Sequence, residues 1–209
     1  MNAALLEFAA ARLRQKIKAT TFSKRARLGD KLAMSFNLSE IKSAKSDEEL
    51  FKMLSSELQL RLPESVQVDY DNLTISIRSL PRGLRAMAAI HRLDVSMAVD
   101  DLVWHFFNFH HREFCDETMR GLFELEAVEA AEIFKQAWAL VEPHWEKLGQ
   151  LKESPKMFAD WYVSSKLEAS MKPLNARLWK ICSESPDYGL MQFWLTYARK
   201  YPERLFEKE

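Results

Sequence analysis

Residues 102 to 109 read LVWHFFNF, a run whose apolar side chains point to every side of a helix. Such a helix cannot lie on a surface in water, because at least one aromatic face would stay exposed to solvent. We therefore expect it at the centre of a core, with Trp104, Phe106 and Phe107 largely buried. The rest of the fold must then supply the elements that cover it.

The residues around this run follow a helical pattern. Five glycines and seven prolines among 209 residues are few for a chain built from short strands and tight turns. Ser46 and Glu49 form a capping pair before an apolar stripe, and from residue 81 onward apolar residues recur at helical spacing. Pro155 and Pro173 mark expected helix starts, because proline is tolerated at a first helical position.

One stretch differs from this pattern. Residues 66–78 read VQVDYDNLTISIR, in which apolar and polar residues alternate on both sides of Asp71 and Asn72, and this predicts a short β-hairpin. The predicted fold class is therefore mainly α, a compact multi-helix domain with a small hairpin. We expect residues 1–79 to supply N-terminal helices and the hairpin, packed on a helical domain of residues 80–209.

The charges of the chain are balanced but segregated. Lysine plus arginine equals aspartate plus glutamate at 30 each, so no net charge indicates binding to nucleic acid or membrane. Residues 12–31 nevertheless hold eight basic side chains and one acid, whereas residues 100–132 hold nine acids and two bases. Two interpretations stay open: separately solvated surfaces, or contact between the two segments within one chain or in a homodimer.

Motifs for several kinds of site are missing from the sequence. No run of about 18 apolar residues occurs that could span a membrane. Cys115 and Cys182 are too few for a disulfide framework and suit a cytoplasmic protein with reduced thiols. His111 and Cys115 lie four residues apart, but zinc needs three or four converging ligands. No phosphate-binding loop or nucleophile motif occurs, so we expect no catalytic residue, no metal and no cofactor.

Three stretches of the chain together resemble a known family. They are SLPRGLRAMAAIHRLDVSMAVDDLVWHFFN, GLFELEAVEAAEIFKQAWALV and LTYARKYPERLF. Over about residues 80–206 the chain is similar to the DNA-mimic protein family, bacterial all-α domains of which one member imitates DNA to occupy a transcription regulator. The family's aromatic pair and following asparagine correspond to Phe106, Phe107 and Asn108. Its closing pattern corresponds to Tyr197, Pro202 and Phe206.

The apolar surroundings of the aromatic pair predict structural roles for it and for Asn108, whose buried amide would tie the following turn through hydrogen bonds to the backbone. The chain also departs from the family at two turns. The family usually carries an asparagine-glycine-glycine turn before its aromatic helix, where this chain has Val99, Asp100 and Asp101. Its common glycine before the last helix of the helix pair is Glu126 here. A functional loop at these positions would therefore be changed.

The function that these observations favour is a non-enzymatic protein-binding module. It would regulate a basic or DNA-binding protein partner through an acidic helical face, without direct contact with nucleic acid or membrane. The residues expected on that face are Asp116, Glu117, Glu124, Glu129 and Glu132. An immunity or antitoxin-like protein that blocks a basic toxin surface is an alternative, and an enzyme of unrecognised class is a third.

Overall fold

The computed structural model describes residues 35–63 and 70–207, and within these ranges the chain is helical and contains no β-strand. The helices are α1 (Leu38–Ser43), α2 (Asp47–Arg61), α3 (Tyr70–Arg78), α4 (Arg82–Val99), α5 (Leu102–Asn108), α6 (Arg112–Glu124), α7 (Val128–Val141), α8 (Trp145–Leu151), α9 (Pro155–Ser164), α10 (Leu167–Glu184) and α11 (Gln192–Lys200). Short 3₁₀ turns occur at Glu142–His144, Gly189–Met191 and Pro202–Leu205. The prediction of a mainly α fold is confirmed.

The predicted hairpin is wrong, because residues 70–78 form helix α3. Residues 66–69 lie outside the described residues. Leu73 and Ile77 are only 2% and 1% exposed, whereas Ile75 between them is 64% exposed. Leu73 and Ile77 are four residues apart, so they share one face of a helix, and that face is buried. The same two residues fit the alternation of a strand. Packing of α3 against α4 and α6 favours the helix.

Local sequence signals set several helix ends. The hydroxyl of Ser46 accepts a hydrogen bond from the backbone N–H of Glu49 at 3.2 Å, as the capping pair predicts. The carboxylate of Glu49 accepts from the backbone N–H of Lys45 at 2.8 Å, one residue before the cap. Pro155 begins α9 as expected. Pro173 lies inside α10 instead, where it removes one backbone hydrogen bond, so the predicted helix start there is wrong.

Helix α5 lies in the core, as its aromatic sequence predicts. Phe106 and Phe107 are 0% and 4% exposed, which confirms their expected burial, and Trp104 is partly buried. The ring of Phe107 stacks on that of Phe158 in α9, with 3.9 Å between centroids. Asn108 is exposed, and its amide makes no hydrogen bond to the described residues. The following turn is therefore formed without it.

The half-buried carboxylate of Asp101 holds the turn before α5. Oδ1 of Asp101 accepts hydrogen bonds from the backbone N–H groups of Val103 and Trp104, at 2.9 and 3.1 Å. Oδ2 accepts from the hydroxyl of Tyr162 at 3.0 Å and from the amide of Asn175 at 3.2 Å. Burial raises the pKa of this carboxyl group, although each of the four hydrogen bonds favours its charged form. Asp101 thereby connects α5 with α9 and α10.

Helices α4 and α6 approach each other closely at Gly121. A Cβ atom there would lie 2.9 Å from the carbonyl oxygen of Ala86, so a larger residue would push the helices apart. Helix α2 packs on α4 and α11 and joins the same core. No helix in the described ranges combines the length and apolar character that a membrane span needs. The predicted basic segment, residues 12–31, lies outside the described residues.

Candidate functional site

The acidic helical hairpin consists of α6, the turn Leu125–Ala127 and α7. Its seven carboxylates fall into two sets that the sequence does not distinguish. Two carboxylates are at most 17% exposed and are bound by arginines of neighbouring elements, and they belong to Glu117 and Glu124. The others, here called the outer carboxylates, are partly or fully exposed, and they belong to Glu113, Asp116, Glu126, Glu129 and Glu132.

Glu117 is a buried carboxylate, with only 1% of its side chain exposed. It accepts hydrogen bonds from Nε of Arg78 at 2.7 Å and from Nε of Arg85 at 2.9 Å. Burial alone would raise the pKa of Glu117, but the bonds from Arg85 and Arg78 outweigh this effect and lower it. Glu117 therefore stays charged and connects α6 with α3 and α4. Its carboxylate is enclosed within the fold.

Glu124 is held in the same manner at the other end of α6. It accepts a hydrogen bond from Nη2 of Arg82 at 2.6 Å, and Nη1 of Arg204 lies 3.3 Å away. The hydroxyl of Tyr197 donates a short hydrogen bond to the same carboxylate. Burial raises the pKa of Glu124, but the bonds from Arg82 and Tyr197 lower it further than burial raises it. The family-pattern residue Tyr197 thus has a structural partner in the hairpin.

The outer carboxylates are more exposed than those of Glu117 and Glu124. Within the described part of the chain, Asp116 and Glu132 form no ion pair. Glu129 is 62% exposed and pairs with Arg177 at 3.3 Å, and Glu113 is 61% exposed and pairs with Arg78 at 2.5 Å. Exposed ion pairs contribute little stability, because water and salt screen them. The outer carboxylates can therefore exchange these partners for those of another protein.

A groove of about 400 Å³ lies between α4 and α6. Its principal lining side chains are Arg82, Arg85, Glu117, Arg120, Phe123 and Glu124. Three guanidinium groups thus line the groove against two carboxylates, so this side of α6 is not acidic. The spacing of the carboxylates alone does not reveal these arginines. The available signal was the spacing of Arg82 and Arg85, which lie three residues apart on one helix.

His111 makes structural hydrogen bonds, and Cys115 is buried. Nδ1 of His111 accepts a hydrogen bond from the backbone N–H of Phe114 at 3.1 Å, and Nε2 lies 2.6 Å from a carboxylate oxygen of Asp71. Cys115 is buried, and burial raises the pKa of its thiol to about 12, so the thiol is protonated at neutral pH. Among the described residues, no three side chains of the metal-binding types converge on one point.

A comparison with known protein families gives a match in this helical region. The DMP19-like protein model matches residues 78–201, which is more than half of the chain and includes the whole hairpin. The chain belongs to the DMP19-like protein family. This membership confirms the resemblance to DNA-mimic proteins. No curated protein and no solved structure matches the chain.

In this DMP19-like protein the backbone at Glu126 has a conformation that favours the glycine expected there from the resemblance. Glu126 has a φ of 58°. Glycine adopts this left-handed conformation without steric cost, whereas a Cβ atom there contacts the backbone. The side chain of Glu126 is engaged elsewhere: its carboxylate accepts hydrogen bonds from Nζ of Lys200 and from the hydroxyl of Tyr201, each at 2.7 Å.

The second departure of this DMP19-like protein lies at the turn before α5. Two aspartates replace the family's glycines there, and Asp101 caps α5 through the hydrogen bonds described above. The pKa of Asp100 is raised mainly by burial and, to a smaller extent, by the negative charge of Asp101. The side chain of Asp101, which glycine lacks, therefore fixes the turn and connects it with α9 and α10.

Proposed function

We propose that this DMP19-like protein is a non-enzymatic protein-binding module whose outer carboxylates bind a basic surface of a DNA-binding protein. Its membership in a DNA-mimic family, through a region that contains the acidic hairpin, carries the proposal. The proposed acidic face differs from the predicted one in two of its five residues. Asp116, Glu129 and Glu132 remain, and Glu113 and Glu126 replace Glu117 and Glu124.

The charge distribution on the hairpin supports this role. Duplex DNA presents one negative charge per roughly 1.7 Å of its axis, so a protein that competes with DNA must present several exposed carboxylates together. Five outer carboxylates occur within residues 113–132. Attraction between exposed charges acts over about 8 Å at physiological salt, so these groups steer a basic partner before contact.

Glu117 and Glu124 have a different role in this proposal. Arginines of the same chain already occupy them, and Glu117 has almost no exposed surface. A partner would have to remove those arginines before it could bind either carboxylate, which would leave buried charges without counter-ions. We infer that the two residues hold the hairpin against α4 and thereby orient the outer carboxylates.

The test is capture of a partner with two charge-reversed variants. One carries Asp116→Lys, Glu129→Lys and Glu132→Lys. The matched control carries Glu146→Lys, Glu153→Lys and Glu168→Lys, which change three exposed acids outside the hairpin. We expect a DNA-binding protein from the native host to bind the unmodified protein and the control, to be lost with the hairpin variant, and to be displaced by duplex DNA.

The captured protein then allows a measurement of association rates. Charge reversal on the hairpin should slow association and reduce its dependence on salt, because long-range attraction acts mainly on the association step. Equal capture by all three proteins, or a complex that excess duplex DNA does not displace, would contradict the proposal. Circular dichroism and thermal unfolding establish in parallel that both variants remain folded.

A further inference from the structure

We propose that the groove between α4 and α6 binds a phosphate monoester with an apolar or aromatic organic part. This ligand site is separate from the outer carboxylates, and it depends only on the residues that line the groove and its rim. Neither the family membership nor the protein-binding role assigns a ligand to this place.

The charges around the groove do not cancel. Arg82, Arg85 and Arg120 line it together with Glu117 and Glu124. Two further arginines lie at the rim, where Arg78 pairs with Glu117 and Arg204 pairs with Glu124. Arg78 also pairs with the outer carboxylate Glu113. Five guanidinium groups thus surround three carboxylates. The excess of two positive charges matches a phosphate monoester, which carries a charge of about −1.5 to −2 at neutral pH.

Arg120 of the groove has donors that the described residues do not use. Arg120 is 69% exposed, and its Nη1 lies 3.7 Å from the nearest carboxylate oxygen, on Glu117, which is too far for a hydrogen bond. The planar guanidinium group presents paired donors that match the oxygens of a phosphate.

Phe123 supplies the apolar part of the groove. Its side chain is 44% exposed, and it lines the groove beside the arginines. An exposed aromatic ring next to cationic groups can stack on the organic part of an anion while the arginines bind its charge. The groove volume of about 400 Å³ falls within the range of small-molecule sites, roughly 300–1,000 Å³. These properties favour an ester over inorganic phosphate.

Calorimetric titration at low salt tests the site with three probes: phenyl phosphate, inorganic phosphate and benzoate. We expect phenyl phosphate to bind at one molecule per chain, more tightly than either other probe. Arg120→Gln should weaken this binding by about tenfold, the usual effect of losing one charge-assisted hydrogen bond. Phe123→Ala should weaken the binding of phenyl phosphate and leave that of inorganic phosphate unchanged.

Arg177→Gln is the matched control, since Arg177 is an exposed arginine of α10 outside the groove. It removes the same charge and should leave all three affinities unchanged. The site assignment is overturned if the unmodified protein shows no saturable binding of phenyl phosphate, or if Arg177→Gln weakens binding as much as Arg120→Gln does. Benzoate binding as tight as that of phenyl phosphate overturns the phosphate assignment. An unchanged phenyl phosphate affinity in Phe123→Ala overturns the assignment of the ligand's aromatic part to Phe123.

Discussion

Nζ of Lys200, in the last turn of α11, donates a hydrogen bond at 2.7 Å to the carboxylate of Glu126, whose own backbone is left-handed. The contact joins the turn of the acidic hairpin to the C-terminal helix. It is exposed on both sides, so it adds little stability in water. The steric cost of the left-handed backbone is therefore not recovered through this ion pair.

Substitution of Glu126 separates the backbone effect from the ion pair. Glu126→Gly and Glu126→Ala both remove the carboxylate, but only alanine retains a Cβ atom in the left-handed region. We expect the glycine variant to melt about 2–4 °C above the alanine variant, because the left-handed backbone costs a residue with a Cβ atom roughly 1 kcal/mol. Thermal unfolding by circular dichroism measures the difference. Equal melting temperatures would show that the turn relaxes around alanine.

Neutralisation of Glu117 should destabilise the fold far more than neutralisation of Asp116 on the same helix. Glu117→Gln removes the carboxylate that Arg85 and Arg78 share. We expect a cost of about 2–4 kcal/mol, below the full cost of a buried pair because Arg78 is partly exposed and keeps its ion pair with Glu113. Asp116→Asn should change stability by less than about 0.5 kcal/mol. Urea unfolding of both variants provides the comparison. Similar small losses would mean that the arginines find other partners.

His105 should make the protein less stable in mild acid, because only in the unfolded chain can it be protonated there. His105 is fully buried, its Nδ1 lies 3.0 Å from the hydroxyl of Ser96, and burial lowers its pKa to about 3 from an ordinary value of 6.5. Below pH 6.5 the unfolded chain binds a proton that the folded chain does not, so stability falls as pH falls. Between pH 7.5 and 5 we expect a loss of about 2 kcal/mol from this group.

The matched variants for this prediction are His105→Leu and His144→Gln. The leucine variant should lose this part of the pH dependence, whereas the variant of the half-buried His144 should retain it. Urea unfolding between pH 7.5 and 5 tests both, in a range above the ordinary pKa of carboxyl groups. The same pH dependence in the leucine variant and the unmodified protein would assign the acid sensitivity to other groups.

Removal of the Phe107 ring should cost more than removal of the Phe123 ring. Phe107 stacks on Phe158 in the core, so Phe107→Ala should destabilise the protein by about 3–5 kcal/mol through lost burial and the cavity left behind. Phe123→Ala should cost less than about 1 kcal/mol, because its ring is already partly exposed. Chemical unfolding of the two variants gives both values. A loss below 1 kcal/mol for Phe107→Ala would place α5 outside the core.

The helical nature of the fold and the central place of α5 could be predicted from the sequence, because both follow from local patterns. A run such as LVWHFFNF has too few polar residues to cover one side of a surface helix, and capping residues such as Ser46 act on N–H groups a few positions away. The stretch around Leu73 and Ile77 was predicted wrongly, because a short apolar pattern fits both a strand and one face of a helix. Its neighbours α4 and α6 resolve that ambiguity.

The number of carboxylates in the hairpin, and the resemblance to a DNA-mimic family, follow from the residues alone. The exposure of each carboxylate follows from the way the helices pack. Arg85 and Arg82 bind Glu117 and Glu124 across 32 and 42 positions of the chain, and Asp116 has no such arginine within the described residues. Helical periodicity places residues on a face, but it does not report which distant side chain lies opposite. Electrostatic pairing depends on that distance in space, so it follows from the packing of α4 against α6.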